Sequence, residues 1–533
     1  MNDIYDVLVV GSGAAGTSAA FPLVKAGLKV ALVDGGTEIY SKTDWPQEAS
    51  FESVRKNAWN QRYLFFGKEL SGLLPSSSSQ AQYMTIGQRE FVSRLTSELL
   101  PVETDLDIVQ SLAQGGLSEA WTGACDIFTD EELRKTGLPN LKIMHKYYQS
   151  IIDRMGVSGE HTGYKLQPPV KLDHNARIIY RKAKQNNDFL KRNKVELNKS
   201  LLAVLTKKKG ERQPVSYNDL HFWINQSQSL YTPHLTLEEL KKYPNFRYHP
   251  KYLVESVAEP TKNKALVHAA NMSNLNMRRS FVGHFVILAA GSINTSRIML
   301  KSYNLYGTKI PFLTKEHALI PCLNLEAIGI KGDVNRISYA QLVMEAIDRN
   351  ITSAYCILNS YKSLLYYRMV PFIPLPSPFA FSLLSLIGDA LVIANLRLST
   401  EMNRQSYLQL IKKNNSEILK IVTNINDDAK KIDKLESVKR ILTCLKKMRI
   451  LPLKTVTSPH GSSAHYASGV PFSAFNNEFP LSCDQNGKLQ QGRNIYIADA
   501  ANWRFLPAKH PTLTIMANAE RIGENIVRLF NKR

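Results

Sequence analysis

The sequence has few cysteines and none of the cysteine spacings that mark redox or metal centres. Its five cysteines are scattered and odd in number, and no Cys-x-x-Cys occurs. This argues against a dithiol redox site and a metal cluster, and predicts free thiols in a reducing, cytoplasmic compartment. We also expect no signal peptide, because an apolar strand pattern begins almost at the first residue. No metal site is predicted.

Acidic residues are scarce relative to basic ones, with 46 Asp and Glu against 67 Lys and Arg, a net charge of +21. Such a surface attracts anions, including nucleic acid, phosphorylated substrates and acidic membranes. Zinc-finger spacing and RNP-like aromatic runs are absent, so nucleic acid is the weaker interpretation and is not predicted as a partner. The length of 533 residues and the 44% hydrophobic content are typical of a globular enzyme with two or three structural units.

Long hydrophobic runs are absent except at residues 379–396, where Asp389 and Asn395 interrupt the apolar sequence. This run is about one bilayer span long, but its polar residues favour a buried domain helix over a membrane span. Residues 421–448 have apolar positions at helical spacing with lysines between them, which predicts an amphipathic basic helix. Peripheral contact of both segments with an acidic membrane remains an open alternative.

A glycine-rich motif near the N-terminus predicts a dinucleotide site. Residues 4–10 form an apolar strand pattern, Gly-x-Gly-x-x-Gly follows, and after a helical stretch a second strand ends at Asp34. Gly11 allows the tight turn, Gly13 lets the backbone approach a pyrophosphate, and Gly16 lets helix and strand pack closely. An acid in the position of Asp34 accepts hydrogen bonds from ribose and favours FAD or NAD over NADP. The predicted cofactor residues here are Gly11, Ser12, Gly13, Ala14, Ala15, Gly16, Asp34 and Gly35.

Three later segments favour FAD over NAD as the dinucleotide. A loop with paired glycines, Ser and Trp spans 114–123 and can lie flat against a large planar ligand. Buried strand patterns at 285–292 and 494–500 end in small residues or in an acid, where backbone can approach a nucleotide closely. The cofactor residues predicted from these segments and their surroundings are Gly115, Gly116, Ser118, Trp121, Gly123, Val254, Ala290, Gly291, Asp499 and Ala500.

With these segments the chain resembles the glucose–methanol–choline oxidoreductase family of FAD flavoproteins, and most of all its sugar-oxidising, pyranose oxidase-like branch. The resemblance covers the N-terminal unit, the GG-x-S-x-x-W loop, the AAGSINTSRIML segment and the C-terminal part of the chain. It implies an α/β fold: a Rossmann-like FAD-binding domain of the glutathione reductase-like type, with a discontinuous α+β substrate-binding domain. Ala120 stands where some members carry a flavin-linked His, so FAD is expected to bind non-covalently.

The resemblance also implies a division of the chain into segments. The FAD-binding domain is predicted from residues 1–145, 215–300 and 456–533. Residues 305–455 are predicted to form the substrate-binding domain, and 146–214 to connect the two and contribute to it.

The catalytic residues implied by the resemblance are histidines near the C-terminus. The family pattern His-x-x-Gly-Thr-x-x-Met can be laid on His465 or on His460. We favour His465, because the Gly-Val-Pro-Phe after it keeps a small and a bulky apolar residue in place. His510 matches the second position, just before Pro511, which suits the start of a helix. That helix N-terminus would face the flavin with its positive dipole end, and Pro511, Thr512 and Thr514 are predicted cofactor residues.

The predicted function is therefore oxidation of an alcohol, sugar-like or other, with hydride transfer from a CH–OH carbon to flavin N5. One neutral histidine accepts the hydroxyl proton while the other orients the hydroxyl. Two alternatives stay open. An NAD(P)H-dependent monooxygenase or reductase would need a second nicotinamide site, and a non-catalytic FAD-fold protein would not need the histidines. The electron acceptor is not predicted.

Overall fold

The computed structural model describes residues 4–37, 91–93, 95–217, 227–333, 337, 339–360, 373–414, 416–423, 429–475 and 478–532. Its helices are α1 (Ala14–Lys25), α2 (Thr96–Leu99), α3 (Asp130–Thr136), α4 (Leu141–Met155), α5 (His174–Gln185), α6 (Asn187–Arg192), α7 (Pro233–Leu240), α8 (Ser292–Ser302), α9 (Ser377–Ile387), α10 (Glu436–Lys447) and α11 (Thr512–Phe530). Its strands are β1 (Ile4–Val10), β2 (Val30–Val33), β3 (Val102–Glu103), β4 (Val195–Lys199), β5 (Phe246–His249), β6 (Tyr252–Thr261), β7 (Lys264–Asn271), β8 (Asn274–Leu288), β9 (Lys309–Pro311), β10 (Leu313–Thr314), β11 (His317–Asn324), β12 (Leu342–Asp348), β13 (Ile351–Ser360), β14 (Leu391–Leu398), β15 (Thr400–Glu401), β16 (Tyr407–Lys413), β17 (Ser416–Val422), β18 (Ile450–Pro452), β19 (Val456–Thr457), β20 (Tyr466–Ala467), β21 (Ile495–Ile497) and β22 (Phe505–Leu506).

The first large sheet contains the N-terminal strand and has the order β5-β2-β1-β8-β7-β6, with β21 also pairing with β8. Strands β5, β2, β1, β8 and β21 run parallel to one another, whereas β6, β7 and β8 pair antiparallel. Strands β1, β2 and β21 and the C-terminal half of β8 are mostly apolar because helices cover the sheet, as α1 and α11 do. The observed architecture is mixed α/β, as predicted, while the glutathione reductase-like subtype and the segment boundaries stay predictions.

The carboxyl ends of the parallel strands meet at one edge of this sheet. Val10 at the end of β1 is in register with Val33 of β2 and with Leu288 of β8, which is in register with Ile497 of β21. In open α/β sheets, ligands bind in the crevice beyond these ends. The fold therefore brings together the residues that follow the four strands, Gly11, Asp34, Ala289 and Ala498.

The second large sheet is antiparallel, with the order β18-β11-β14-β13-β12-β4 and β19 also pairing with β11. Its strands alternate, because successive side chains point to opposite faces. One face is apolar and forms a core with residues of α5, α6 and α10. The other face carries one side chain from each of five adjacent strands, which are in register with one another. This polar row consists of His317, Arg397, Tyr355, Glu345 and Glu196.

The single long helix predicted for residues 379–396 is wrong in its second half. Helix α9 ends at Ile387, a short turn follows, and Leu391–Leu398 forms strand β14 in the middle of the second sheet. The Asp389 carboxylate in the turn accepts a hydrogen bond from Gly332 N at 2.9 Å, which fixes the change of direction. Among the described residues, no helix combines the length and the apolar character needed to cross a membrane.

The helix predicted for residues 421–448 is also shorter than expected. Residue 422 ends strand β17, residues 424–428 lie outside the described residues, and α10 begins at Glu436. This helix buries Val438, Ile441 and Leu445 against the second sheet and leaves lysines exposed. It is therefore a domain helix with an exposed basic face, and contact of that face with an acidic membrane stays a prediction.

Candidate active site

A cleft lies at the edge of the first sheet where the parallel strands end. Most of the residues predicted to bind the cofactor line it. They are Gly11, Ser12, Gly13, Ala14, Ala15, Asp34, Gly35, Gly116, Ser118, Val254, Ala290, Gly291, Asp499, Ala500, Pro511 and Thr512. Of the predicted histidines, His465 alone is among the lining residues in the described part of the chain.

The three glycines of the N-terminal motif have three different reasons to lack a side chain. Gly11 has φ of +98°, and a Cβ there would lie 2.5 Å from the carbonyl oxygen of Ala289. A Cβ on Gly16 would lie 1.8 Å from the carbonyl oxygen of Gly11, so strand and helix could not pack. Gly13 has an ordinary φ of −66°, and a Cβ would meet only Gly115 O, at 3.7 Å. Gly13 therefore keeps open the space of the cleft itself, where a pyrophosphate would lie.

Ser12 joins the glycine turn to the second strand and to the paired-glycine loop. Its hydroxyl donates to Asp34 Oδ2 and accepts from Gly115 N at 2.9 Å, while Asp34 also accepts from Tyr248 at 3.0 Å. Burial raises the pKa of Asp34 to about 6. The carboxylate is thus held at the cleft wall by fixed donors, in a position from which it can accept from a ribose hydroxyl.

Asp499 plays the corresponding part at the end of β21. Its carboxylate accepts from Gly291 N and Ala501 N, each at 2.9 Å, and from Thr295 Oγ1. Burial raises its pKa to about 6 as well. These bonds hold the start of α8 against the strand end, so Asp499 shapes the cleft wall that it also lines.

Three helices begin at the cleft without side-chain caps. The N-terminal residues of α1, α8 and α11 line the cleft at Ala14, Ser292 and Thr512. None of the three has a side-chain cap or an acidic residue in its first turn. Their free N–H groups and dipoles make the cleft electropositive, which suits a pyrophosphate and a reduced flavin.

Several buried polar atoms at the cleft have no hydrogen-bond partner among the described residues. They are Gln110 Oε1, Asn294 Oδ1, Arg297 Nε and His465 Nδ1. Buried polar groups in native proteins are nearly always paired, so these atoms indicate a polar ligand. Burial lowers the pKa of Arg297 to about 10, which leaves it charged at neutral pH. Sequence reasoning missed Gln110, which no motif marks, and also Asn294 and Arg297, which lie in the AAGSINTSRIML segment but were not singled out.

Five predicted cofactor residues lie outside the cleft lining and support it instead. A Cβ on Gly115 would collide with the Glu119 carboxylate. A Cβ on Gly16 would likewise collide with the backbone of Gly11 in the motif turn. Trp121 Nε1 donates to Tyr231 O at 2.7 Å, so its ring packs into the protein rather than onto a ligand. Gly123 lies against Leu230, and Thr514 is hydrogen-bonded to Tyr148 at 2.8 Å. The residues concerned are Gly16, Gly115, Trp121, Gly123 and Thr514.

The two favoured histidines are neighbours, but only one faces the cleft. The rings of His465 and His510 meet edge to face with centroids 5.8 Å apart. Asp126 Oδ2 lies 2.8 Å from Nδ1 of His510, and Arg397 Nη1 lies against its Nε2. Because arginine can only donate, Nε2 must be the acceptor and Nδ1–H must donate to Asp126. His510 is thus fixed in one neutral tautomer, with both nitrogens engaged.

His460 lies apart from this pair. Its Nδ1 is 2.6 Å from Oε2 of Glu316, and its backbone carbonyl accepts from Asp107 N at 2.7 Å. It is absent from the cleft lining. Of the two registers for the catalytic histidine, the one on His465 is thus the one that reaches the cleft.

Cations surround the histidine pair and keep it neutral. Burial, together with the charges of Lys315 and Arg397, holds the pKa of His465 well below its ordinary value. Burial and Arg397 likewise lower the pKa of His510 to about 4. Lys315 and Arg397 were missed by sequence reasoning. The signal for Arg397 was the alternation of polar residues at 395 and 397 in an apolar run, which is a strand pattern.

Comparisons with known proteins agree on an FAD-binding domain. Residues 6–56 match the family model FAD_binding_2, described as FAD binding domain, so FAD is the cofactor of this chain. The fold is widespread, since 747 chains of solved structures match it, and it therefore identifies no substrate. One of them is an FAD-dependent oxidoreductase from Chaetomium thermophilum in complex with a butanamide fragment. Its TM-score is 0.59 at 11% identity, and the match covers 99% of this chain and 100% of that one. No curated protein matches the chain.

The resemblance to the glucose–methanol–choline family, and to its pyranose oxidase-like branch, is wrong. The family model that matches is of the succinate dehydrogenase and fumarate reductase type. The motifs that suggested the resemblance are common to FAD-binding Rossmann units, because each serves the dinucleotide rather than the substrate. The residue roles must therefore be argued from the geometry.

Replacement of Gly13 by Val should abolish FAD binding. The side chain would enter the cleft, where a Cβ meets no protein atom closer than 3.7 Å, and would displace the pyrophosphate. The measurement is flavin content after purification and FAD titration of the apoprotein. Gly27→Asn, at an open left-handed position after α1, is the control and should bind FAD normally. Wild-type affinity in Gly13→Val would refute this placement of the pyrophosphate.

His317 should make the protein less stable in acid. Burial and the Arg397 charge lower its folded pKa to about 3 from an ordinary 6.5. Below pH 6.5 the unfolded chain therefore takes up a proton that the folded protein does not. As the pH falls below 6.5, the free energy of unfolding of the wild type should therefore decrease relative to that of His317→Gln. The decrease should be about 1.4 kcal/mol per pH unit. Urea unfolding from about pH 7.5 to about pH 5 measures this slope. A difference independent of pH would contradict the neutral buried state.

Proposed function

We propose that the protein is an FAD-dependent oxidoreductase that oxidises the CH–OH group of an alcohol, with His465 as the base. Three features support this: the FAD-binding domain, the position of His465 in the cleft wall, and its buried Nδ1 without a partner among the described residues. A sugar-like alcohol remains the favoured substrate type. Non-covalent attachment of FAD stays a prediction.

The observation that carries the proposal is the position of His465, whose buried Nδ1 lies in the cleft wall with no partner among the described residues. Since burial and nearby cations hold its pKa well below 6.5, its lone pair is free at neutral pH. When bound, FAD supplies a two-electron acceptor that takes a hydride at N5. Loss of that hydride from carbon leaves a hydroxyl proton, which His465 accepts as the carbonyl forms.

Lys315 and Arg397 would assist by their charge. As the proton leaves, negative charge develops on the substrate oxygen. Fixed cations in a buried site stabilise such charge more strongly than water does, because they need no reorganisation. The same charges disfavour protonated His465, so its proton must pass on to solvent or to the product site before the next turnover.

His510 is proposed to act through Arg397. Its two nitrogens are engaged by Asp126 and Arg397, so it can hold the guanidinium in position without touching the substrate. Direct contact of His510 with the hydroxyl, as first predicted, stays a prediction. Of the alternatives, an NAD(P)H-dependent flavoprotein would need a second nicotinamide site, and a non-catalytic FAD protein would not need the histidines.

His465→Ala should leave FAD bound but slow flavin reduction by an alcohol substrate by about 10²–10⁴-fold, the usual effect of losing a general base. His510→Ala should also slow reduction, and the double variant should lose less than the product of the two effects. The assay is anaerobic stopped-flow bleaching at saturating substrate. His460→Ala is the matched control and should stay near the wild-type rate. A crippled His460→Ala beside an unaffected His465→Ala would disprove the assignment.

We also propose that helix α9 contacts the surface of an acidic membrane. Phe379 and Leu386 of this helix are 65% and 79% exposed, and the chain has a net charge of +21. Apolar side chains on a basic protein suit the interface of an anionic bilayer. A cytoplasmic location and the absence of nucleic acid partners stay predictions.

Co-sedimentation with vesicles that contain phosphatidylserine tests the membrane proposal. We expect weak binding that decreases with salt and is lost in a Phe379→Ser, Leu386→Ser double variant. Leu529→Ser, which also removes an exposed leucine but at the C-terminal helix, should bind like the wild type. Equal binding of all three proteins, or none by the wild type, would contradict a role for α9.

A further inference from the structure

Arg397 is a half-buried arginine in the middle of the second sheet. Among the described residues it forms no ion pair within 4 Å, and its single hydrogen bond runs from Nη1 to the neutral His510. Its Nε is buried and has no partner in that part of the chain. Burial of an arginine without a counter-charge is strongly unfavourable, so the position indicates an anion that binds there.

Lys315 adds a second buried basic group beside it. Its side chain is 1% exposed and donates only to the backbone carbonyls of Ala508 and Lys509. Within the described residues it, too, forms no ion pair. Burial and the nearby Arg397 charge hold the pKa of Lys315 well below its ordinary value. A bound anion would favour the protonated form, because an adjacent negative charge raises the pKa of an amine.

The acidic residues nearby are already engaged elsewhere. Glu132 and Glu345 lie 3.3 Å and 3.4 Å from the Lys509 ammonium. Asp126 accepts two hydrogen bonds from His510 and one from Tyr355 at 2.8 Å. Glu132 and Glu345 thus pair with Lys509, whereas Asp126 is joined to Arg397 through His510. The Asp126 charge acts favourably on Arg397 and Lys315, but among the described residues neither forms an ion pair with it.

The two basic groups are next to the cleft and not sealed within the protein. Arg397 retains accessible surface despite its depth. It contacts His510, whose ring meets that of His465 in the cleft wall. Asn395, two residues earlier on the same face of β14, has an amide oxygen without a partner among the described residues. The charges of Lys315 and Arg397 act on the proposed base, and Asn395 lies two residues from Arg397 on the same face of the strand.

We propose that Arg397 and Lys315, with Asn395, bind an anionic group of the substrate, so that the enzyme oxidises an alcohol that carries a carboxylate or a phosphate. A guanidinium presents paired donors that match the oxygens of either group. The inference rests on the proposed function, since the anion is taken to belong to the molecule oxidised at His465. A neutral alcohol would leave the buried charges unpaired and would react more slowly.

The first test measures anion binding without catalysis. The oxidised holoenzyme is titrated with acetate, oxalate and inorganic phosphate at constant ionic strength, and the visible flavin spectrum is recorded. Tighter binding of acetate or oxalate than of phosphate would indicate a carboxylate site, and the reverse order would indicate a phosphate site. We expect saturable binding by the wild type and binding at least about 10-fold weaker in Arg397→Met. Arg177→Met removes an exposed arginine paired with Asp333 and should bind like the wild type.

Arg397→Lys keeps the charge but loses the paired donors, and it provides a second variant if Arg397→Met does not fold. We expect it to bind anions more weakly than the wild type and more tightly than Arg397→Met. Equal anion binding by all variants overturns the proposal, as does a wild type that binds no anion. Unchanged binding together with a lowered flavin midpoint potential in Arg397→Met would instead assign Arg397 to the reduced flavin, and also overturns it.

The second test separates this inference from the function on which it rests. Anaerobic flavin reduction is compared for glycolate with ethylene glycol, and for glycerol 3-phosphate with glycerol. We expect the anionic member of a pair to be preferred at least about 10-fold, and Arg397→Met to abolish the preference. Neutral alcohols that react as well as anionic ones would overturn the inference and leave the function intact. Anion binding lost in Arg397→Met, with no alcohol reducing the flavin, would retain the anion site and refute alcohol oxidation.

Discussion

Asp126 accepts three hydrogen bonds inside the protein, from the backbone N–H and Nδ1 of His510 and from the hydroxyl of Tyr355. Burial alone would raise its pKa, but the bonds from His510 and the nearby Lys509 charge lower it, so the carboxylate stays ionised. One buried charge thereby joins the loop before the last helix to the middle of the second sheet. Without it the tautomer of His510, and hence the orientation of Arg397, would not be defined.

The cofactor half of the site could be predicted because its chemistry is local in sequence. The strand, turn and helix around Gly11 and Gly13 lie within a short stretch, and the spacing to Asp34 is set by one helix and one turn. The bond from Gly115 to Ser12 could not be predicted, since its partners are 103 residues apart. That Trp121 lies outside the cleft lining could not be predicted either, because proximity to a glycine loop does not reveal which way a ring points.

The substrate half depends on strand pairing, which a single sequence does not reveal. Residues 379–396 have an apolar composition that suits a helix as well as a buried strand, and the break at Asp389 was interpreted as an interruption rather than as an end. The polar row requires the register of five strands, drawn from residues 196 to 397. The family resemblance failed for a related reason, because its motifs came from the dinucleotide site and not from this sheet.

The charges of Lys315 and Arg397 would lower the pKa of His465 less after a substrate anion binds than before. In the protein alone, burial and the charges of Lys315 and Arg397 keep its pKa well below the ordinary value, so it is neutral but a weak proton acceptor. An anion held by those two cations would cancel part of their field. The pKa of His465 would then rise towards its ordinary value, because an adjacent negative charge favours the protonated form. The base would thus gain proton affinity only in the complex, where a hydroxyl proton must be removed. The same cations would select the substrate and couple its binding to the strength of the base.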